Sequence, residues 1–132
     1  MKVLVPLLTG KEKESTFVEA FTTKVDEIVL LQIIDKEFMG KTGSAIGELR
    51  QSRAVMEEVK KIIGQKKKKY SEITEWGSTI KKIISISVLQ NVDKVYFVNQ
   101  NNQFFQDILK ELKKNKVQYE LVDVVEKEDE KE

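Results

Sequence analysis

The fold of this chain is decided by one short stretch, in which an apolar strand passes into a helix through a polar turn: Val95-Tyr96-Phe97-Val98-Asn99-Gln100-Asn101-Asn102-Gln103-Phe104-Phe105. In open α/β sheets, ligands bind in the crevice beside turns of this kind. The turn contains no glycine, acid, base or nucleophile. The stretch therefore predicts an architecture, but it supplies no side chain for catalysis.

Apolar runs alternate with helical patterns along the rest of the chain. Between the runs, apolar residues recur at steps of three and four, as amphipathic helices require. Apart from a weaker, alternating run at residues 70–76, the runs are apolar on both faces, which is typical of parallel strands covered by helices on each side. The order β-α-β-α-β-α-β-α-β predicts a doubly wound sheet. The predicted strands are residues 2–8, 27–34, 70–76, 93–99 and 117–125.

Several helices carry start signals. Thr9 and Glu12 fit a capping box that opens the first helix. Ser78 is the predicted N-cap of the third helix, and Asn102 caps the fourth. The second helix is longer, and Arg53 is the one polar interruption of its apolar stripe.

The composition excludes several classes of function. The chain has no cysteine, which excludes disulfides, thiolate metal sites and cysteine nucleophiles. It has no histidine either, which excludes Ser-His-Asp chemistry and leaves only carboxylates for zinc, an unusual ligand set. Asp26, Glu27 and Asp35 are too scattered to act as paired carboxylates. We therefore expect no metal and no catalytic residue.

The charge balance gives no reason to expect nucleic acid as a partner. The 132 residues suit one domain, and 23 basic against 22 acidic residues give a net charge of +1. The lysine run at residues 66–69 either contacts an acidic partner or is a solvated helix end, where cations complement the helix dipole. The first apolar run is too short to span a bilayer and lacks a cleavage site, so we expect a cytoplasmic protein and no membrane contact.

Two regions break the alternation of strands and helices. Residues 35–43 are predicted to be a mobile loop after the second strand. Residues 126–132 contain five acids, two lysines and no apolar side chain, which predicts a disordered acidic tail. The predicted α/β domain therefore comprises residues 1–125, followed by this tail.

Three segments resemble the universal stress protein family. Residues 2–6 are similar to its opening strand, and residues 28–35 are similar to its second strand, with Gln32 at a frequent histidine position. Residues 76–84 and 91–95 are similar to its third helix and fourth strand. The resemblance covers nearly the whole predicted domain. It implies a three-layer flavodoxin-like, adenine nucleotide alpha hydrolase-like sandwich with a five-stranded parallel sheet of order 3-2-1-4-5.

Many members of the family bind ATP through a glycine-rich signature after the fourth strand, Gly-x2-Gly-x9-Gly-Ser/Thr. Its glycines let main-chain N–H groups approach phosphate oxygens. Here Val98 or Asn99 stands at the first glycine, Asn101 or Asn102 at the second, and Gly-Ser is missing. The acid that often follows the first strand is missing too, because two leucines follow Pro6. We therefore expect that ATP binding is lost or much weakened and that no cofactor is held.

A second hypothesis keeps a small-molecule site in the same crevice, for a nucleotide or for a nucleoside without phosphates. Thr9 and Gly10 either donate main-chain N–H groups to an anion or serve packing and capping. The asparagine run either lines a ligand site or forms a turn and a cap. In the resemblance, Ile33 stands where the second strand lends main-chain groups to an adenine ring. The candidate nucleotide-binding residues are Leu8, Thr9, Ile33, Asn99 and Asn101.

The last apolar run is an edge strand in the implied order. An exposed apolar edge is a template for strand pairing, and members of the family often dimerise through their last strand. The alternative is an edge that the acidic tail shields. The predicted partner is a second copy of the chain, and the predicted interface is Val117, Tyr119, Leu121 and Val122.

Taken together, these features favour a non-catalytic, universal-stress-protein-like homodimer with a degenerate nucleotide site, which acts in the stress response by binding an unknown protein partner. The alternative is a small-molecule binding protein that uses the crevice. An enzyme of the wider nucleotide-binding α/β class has the least support, because neither a phosphate loop nor a histidine motif is present.

Overall fold

The computed structural model describes residues 1–35 and 45–124, including the side chains of all of these except residues 45–49. Apart from Asp35, the predicted loop of residues 35–43 lies outside the described residues, and so does the predicted tail of residues 126–132. Strands and helices alternate in the described ranges as β1 (Lys2–Pro6), α1 (Ser15–Thr22), β2 (Glu27–Ile34), α2 (Ala45–Gln65), β3 (Lys69–Trp76), α3 (Thr79–Leu89), β4 (Lys94–Val98), α4 (Gln103–Lys114) and β5 (Tyr119–Val122).

The five strands form one parallel sheet in the order β3-β2-β1-β4-β5, which confirms the predicted topology. The central strand β1 pairs with β2 on one side and with β4 on the other, in a register that places Val3 opposite both Ile28 and Lys94. The connection from β1 leads to β2 on one side of β1, whereas the connection from β3 leads across the sheet to β4 on the other side. A crevice therefore opens at the carboxyl ends of β1 and β4, where ligands bind in sheets of this kind.

Two apolar layers cover the sheet because its central strands are buried on both faces. The helices α1 and α2 cover one face and α3 and α4 cover the other. The first layer packs Phe17, Phe21, Met56, Val59 and Ile63 against Val3, Val5, Ile28 and Leu30. The second layer packs Ile83, Phe105, Ile108 and Leu112 against Leu4, Val29, Leu31 and Phe97.

The structure confirms two of the predicted caps and contradicts the third. Ser78 Oγ accepts a hydrogen bond from Lys81 N, and Asn102 Oδ1 accepts one from Phe105 N at 2.8 Å. The capping box at Thr9 is wrong, because α1 begins six residues later, at Ser15, after an N-cap that makes no side-chain bond. The carboxylate of Glu12 turns back to the end of β1 instead of capping a helix.

Polar side chains tie α2 to its neighbours. The buried Gln32 donates to Ser52 Oγ at 2.9 Å and accepts from Arg53 Nη1 at 3.1 Å. The guanidinium of Arg53 also pairs with Glu72 on β3, so the polar interruption in the α2 stripe has a structural role. Within the described residues, every buried side-chain nitrogen or oxygen has a hydrogen-bond partner.

None of the helices in the described ranges is long and apolar enough to cross a membrane. The same residues contain no group of three or more acidic side chains placed to hold a metal ion.

Candidate functional site

A cleft of about 450 Å³ lies at the carboxyl ends of β1, β2 and β4. This volume falls within the range of roughly 300–1,000 Å³ that is typical of small-molecule sites. Its walls come from the turn after β1, the end of β2, one face of α2, the start of α3 and the turn after β4. The apolar part of the lining consists of Leu7, Leu8, Ile33, Val55 and Phe104.

The polar part of the lining carries negative charge and, among the described residues, no positive charge. Glu12 and Asp35 are its acidic side chains, and no described lysine or arginine lines the cleft. The remaining polar positions are neutral, and they are Thr9, Gly10, Gln51, Ser52, Thr79, Gln100 and Asn102. In the described part of the chain, the cleft therefore lacks the cationic side chains that usually bind phosphate.

The turn after β1 is organised around the carboxylate of Glu12. Its Oε2 atom accepts hydrogen bonds from Leu8 N at 3.1 Å, Thr9 N at 3.0 Å and Thr9 Oγ1 at 2.9 Å. Its Oε1 atom accepts from Gly10 N at 3.0 Å. The left-handed conformation of Gly10, with φ of +87°, favours glycine and closes the turn. Successive main-chain N–H groups that converge in this way form an anion-binding concavity.

The carboxyl group of Glu12 is almost completely buried, with 1% of the residue exposed. Burial raises the pKa of this carboxyl above its ordinary value, and the hydrogen bonds from Thr9 and Leu8 oppose that rise. The contacts from Leu8, Thr9 and Gly10 are all donors and favour the ionised form, whereas burial favours the neutral form. The turn thus compensates part of the cost of burying a charge.

Asp35 joins the end of β2 to the start of α3. Its Oδ2 atom accepts from both the main-chain nitrogen and the hydroxyl of Thr79, each at 2.9 Å. Thr79 is the first residue of the helix and is itself buried, so the carboxylate lies against the positive end of the helix dipole. Both residues line the cleft where β2 ends and α3 begins.

The turn after β4 points in two directions. Asn99 faces away from the cleft, because its Nδ2 donates to Asp123 Oδ1 and its main-chain nitrogen donates to Val122 O, both at 2.8 Å. Asn101 is exposed and does not line the cleft. Asn102 does line it, and its side chain caps α4 and donates to Gln100 Oε1 at 3.1 Å.

The structure therefore brings together three of the five predicted binding residues, Leu8, Thr9 and Ile33, and separates Asn99 and Asn101 from them. Whether any of them binds a nucleotide stays a prediction. Sequence reasoning missed Glu12 and Asp35 as lining residues. The signal for Asp35 was present, since an acid directly after an apolar strand lies at the ligand edge of a parallel sheet.

The predicted interface residues lie on or beside β5, at one end of the sheet. Tyr119 packs edge-to-face on Phe97, with ring centroids 6.5 Å apart, and Val117 and Val122 are also partly buried. Leu121 is 37% exposed. Of the four residues, Leu121 is therefore the most available to a partner, and the dimer itself stays a prediction.

Comparison with known proteins shows the fold. No family model matches the sequence, and no curated protein matches it. The structure is similar to that of the hypothetical protein MJ0577, reported as a structure-based assignment of biochemical function, with 20% identity, a TM-score of 0.68 and coverage of 94% of this chain and 96% of that one. It is also similar to that of the hypothetical protein PH0823, with 21% identity, a TM-score of 0.62 and coverage of 96% and 97%. This chain shares their α/β sandwich over nearly its whole length.

Proposed function

We propose that this chain is a universal-stress-protein-like, non-catalytic protein whose nucleotide site is degenerate, and that it acts in the stress response as a homodimer that binds a protein partner. The shared fold and the sequence resemblance support the relation to that family. One observation supports the proposal of a degenerate site: the carboxylate of Glu12 occupies the main-chain donors after β1.

A triphosphate in this cleft would find its main-chain donors blocked after both β1 and β4. On the β1 side, a phosphate must displace a carboxylate held by four donor groups. Hydrogen bonds to a charged group contribute roughly 1.5–3 kcal/mol each, so the displacement is costly. On the β4 side, no glycine opens the main chain, and Asn102 Oδ1 already takes the N–H of Phe105. The two carboxylates of the lining add like-charge repulsion.

Titration calorimetry with magnesium-ATP and with adenosine tests this proposal. We expect no saturable heat with ATP at micromolar concentrations. A dissociation constant for ATP in the micromolar range would contradict the degenerate site, whatever adenosine does.

A second candidate function, binding of a nucleoside or a similar molecule without phosphates, is favoured by the size and lining of the cleft. Its apolar walls suit a ring, and Gln51, Ser52 and Gln100 offer neutral hydrogen-bonding groups. Native mass spectrometry of the gently purified protein would detect a ligand that is carried along. A clean apo mass, with no adenosine-induced shift of the Thr9 and Ile33 amide resonances, would contradict this candidate.

The proposed homodimer rests on β5. No described strand pairs with its outer side, and Leu121, within β5, has an exposed apolar side chain. A lysine at this position places like charges close together in a symmetric strand pair, so we expect Leu121→Lys to weaken the dimer at least tenfold. Sedimentation velocity measures the change. Ser71→Lys is the matched control, since Ser71 is exposed on the opposite edge strand β3. Equal effects of the two substitutions would contradict an interface at β5.

A further inference from the structure

We infer that the turn after β1 is an oxyanion-binding site that the chain keeps filled with its own Glu12 carboxylate, and that Glu12 is the residue that excludes anionic ligands from the cleft. The inference deepens the proposed degenerate site and rests on it. The ligand class of the site, once Glu12 is removed, is a small oxyanion such as inorganic phosphate.

The hydrogen-bond donors of the turn after β1 converge on one place. Three successive main-chain N–H groups, those of Leu8, Thr9 and Gly10, converge on one carboxylate at 3.0–3.1 Å. The hydroxyl of Thr9 joins them at 2.9 Å. The same hydroxyl accepts from Lys11 N at 2.9 Å, and this bond orients the hydroxyl proton toward the carboxylate. Because these donors belong to the turn and its hydroxyl, they are available to any oxyanion that replaces the side chain.

Glu12 lies close in the sequence to the donors that it fills. The carboxylate lies two to four residues along the chain from its donors, so closing the contact orders very little of the chain. A group tethered by so short a linker competes at an effective concentration on the order of millimolar or above. A free anion must exceed that concentration to enter the turn. Glu12 is therefore an internal competitor for every phosphate-bearing ligand that reaches the cleft.

The turn after β1 forms part of the lining of the cleft. Thr9, Gly10 and Glu12 all line the cleft, together with the apolar wall formed by Leu8 and Ile33. An anionic group on a ligand seated against that wall meets a filled donor site and a negative charge. A ligand without an anionic group meets only the wall and the neutral amides. Glu12 thus determines which charge class of ligand the cleft accepts.

The test compares Glu12→Ala with Glu14→Ala in the full-length, ¹⁵N-labelled chain. Both substitutions remove one acid from the same connection between β1 and α1, and the Glu14 side chain makes no cap hydrogen bond, so Glu14→Ala is matched in charge and position. Each variant and the wild type are titrated with inorganic phosphate, and sodium chloride at equal ionic strength serves as the reference. In Glu12→Ala we expect saturable shifts of the Leu8, Thr9 and Gly10 amide resonances at millimolar phosphate. In the wild type and in Glu14→Ala we expect binding at least tenfold weaker.

Three results would overturn the inference. The first is a folded Glu12→Ala variant without phosphate-dependent shifts, and the second is a wild type that binds phosphate as tightly as the variant. If Glu12→Ala is unfolded alone, phosphate should restore its folded spectrum while chloride should not, and failure of that rescue is the third. Micromolar ATP binding by the wild type would contradict the proposed function itself. If the Glu12→Ala variant does not bind phosphate and the wild type does not bind ATP, the result contradicts this inference and leaves the proposed function intact.

Discussion

The turns after β1 and β4 flank the same crevice, yet their main-chain N–H groups find hydrogen-bond acceptors in different ways. After β1, a buried acid takes three N–H groups from within the cleft. After β4, Asn102 takes one N–H as a helix cap, and Asn99 reaches outward to Asp123. On the proposal made above, the first turn controls the charge that the cleft accepts, whereas the hydrogen bonds of the second turn anchor α4 and β5.

The largest effect is expected when the buried acid, Glu12, is removed. We expect Glu12→Ala to lower the free energy of unfolding by about 3 kcal/mol, because the donors of the turn lose a buried, charged acceptor. Urea denaturation measures the loss. Glu14→Ala, the control in the same connection, should change stability by less than about 0.5 kcal/mol. Similar losses in the two variants would mean that the turn after β1 does not depend on its internal anion.

A smaller effect is expected at the second turn. Asn102→Ala removes the acceptor for Phe105 N and should cost about 1 kcal/mol, the usual value of an N-cap. Asn101→Ala, at the exposed neighbouring position, should have almost no effect on thermal unfolding. Neither substitution should open the cleft to phosphate, since Glu12 stays in place. Phosphate binding by Asn102→Ala would contradict the division of roles between the two turns.

The smallest effect concerns Glu72, a partly exposed acid that serves as a reference for the buried Glu12. Arg53 and Lys60 hold the pKa of the Glu72 carboxyl below its ordinary value. A carboxyl with a lowered folded-state pKa stabilises the fold above its ordinary pKa, and that stability is lost as the pH falls through the folded-state pKa. We expect Glu72→Gln to cost about 0.5 kcal/mol at pH 7, and less in high salt, because the group is partly exposed.

Denaturation of wild type and Glu72→Gln across pH measures this difference. The two proteins should converge in stability as the pH falls below the folded-state pKa of Glu72. A difference that persists in acid would assign the effect of the substitution to packing rather than to charge.

The fold was predictable because its signals are local and repeated. Apolar runs such as residues 27–34 identify strands covered on both faces, and the order of elements then leaves few topologies. The caps at Ser78 and Asn102 were predictable for the same reason, since a cap bonds an N–H group three residues away.

The site was predictable only in part, because its main contacts depend on where helices and strands begin and end and on which distant residues they pack against. The pattern of Thr9 and Glu12 fits a capping box as well as it fits the observed turn, and the choice depends on where α1 begins. Asp35 meets Thr79 across 44 residues, which no local pattern encodes. The outward direction of Asn99 follows from the pairing of β4 with β5.

The central claim is that the donors after β1 are unavailable to phosphate because Glu12 holds them. Its most direct test is the Gly10 amide resonance of the wild-type protein during a titration with magnesium-ATP. We expect the resonance to stay in place up to millimolar ATP. A saturable shift at micromolar ATP, with the resonances of Leu8 and Thr9 moving in parallel, would contradict the account.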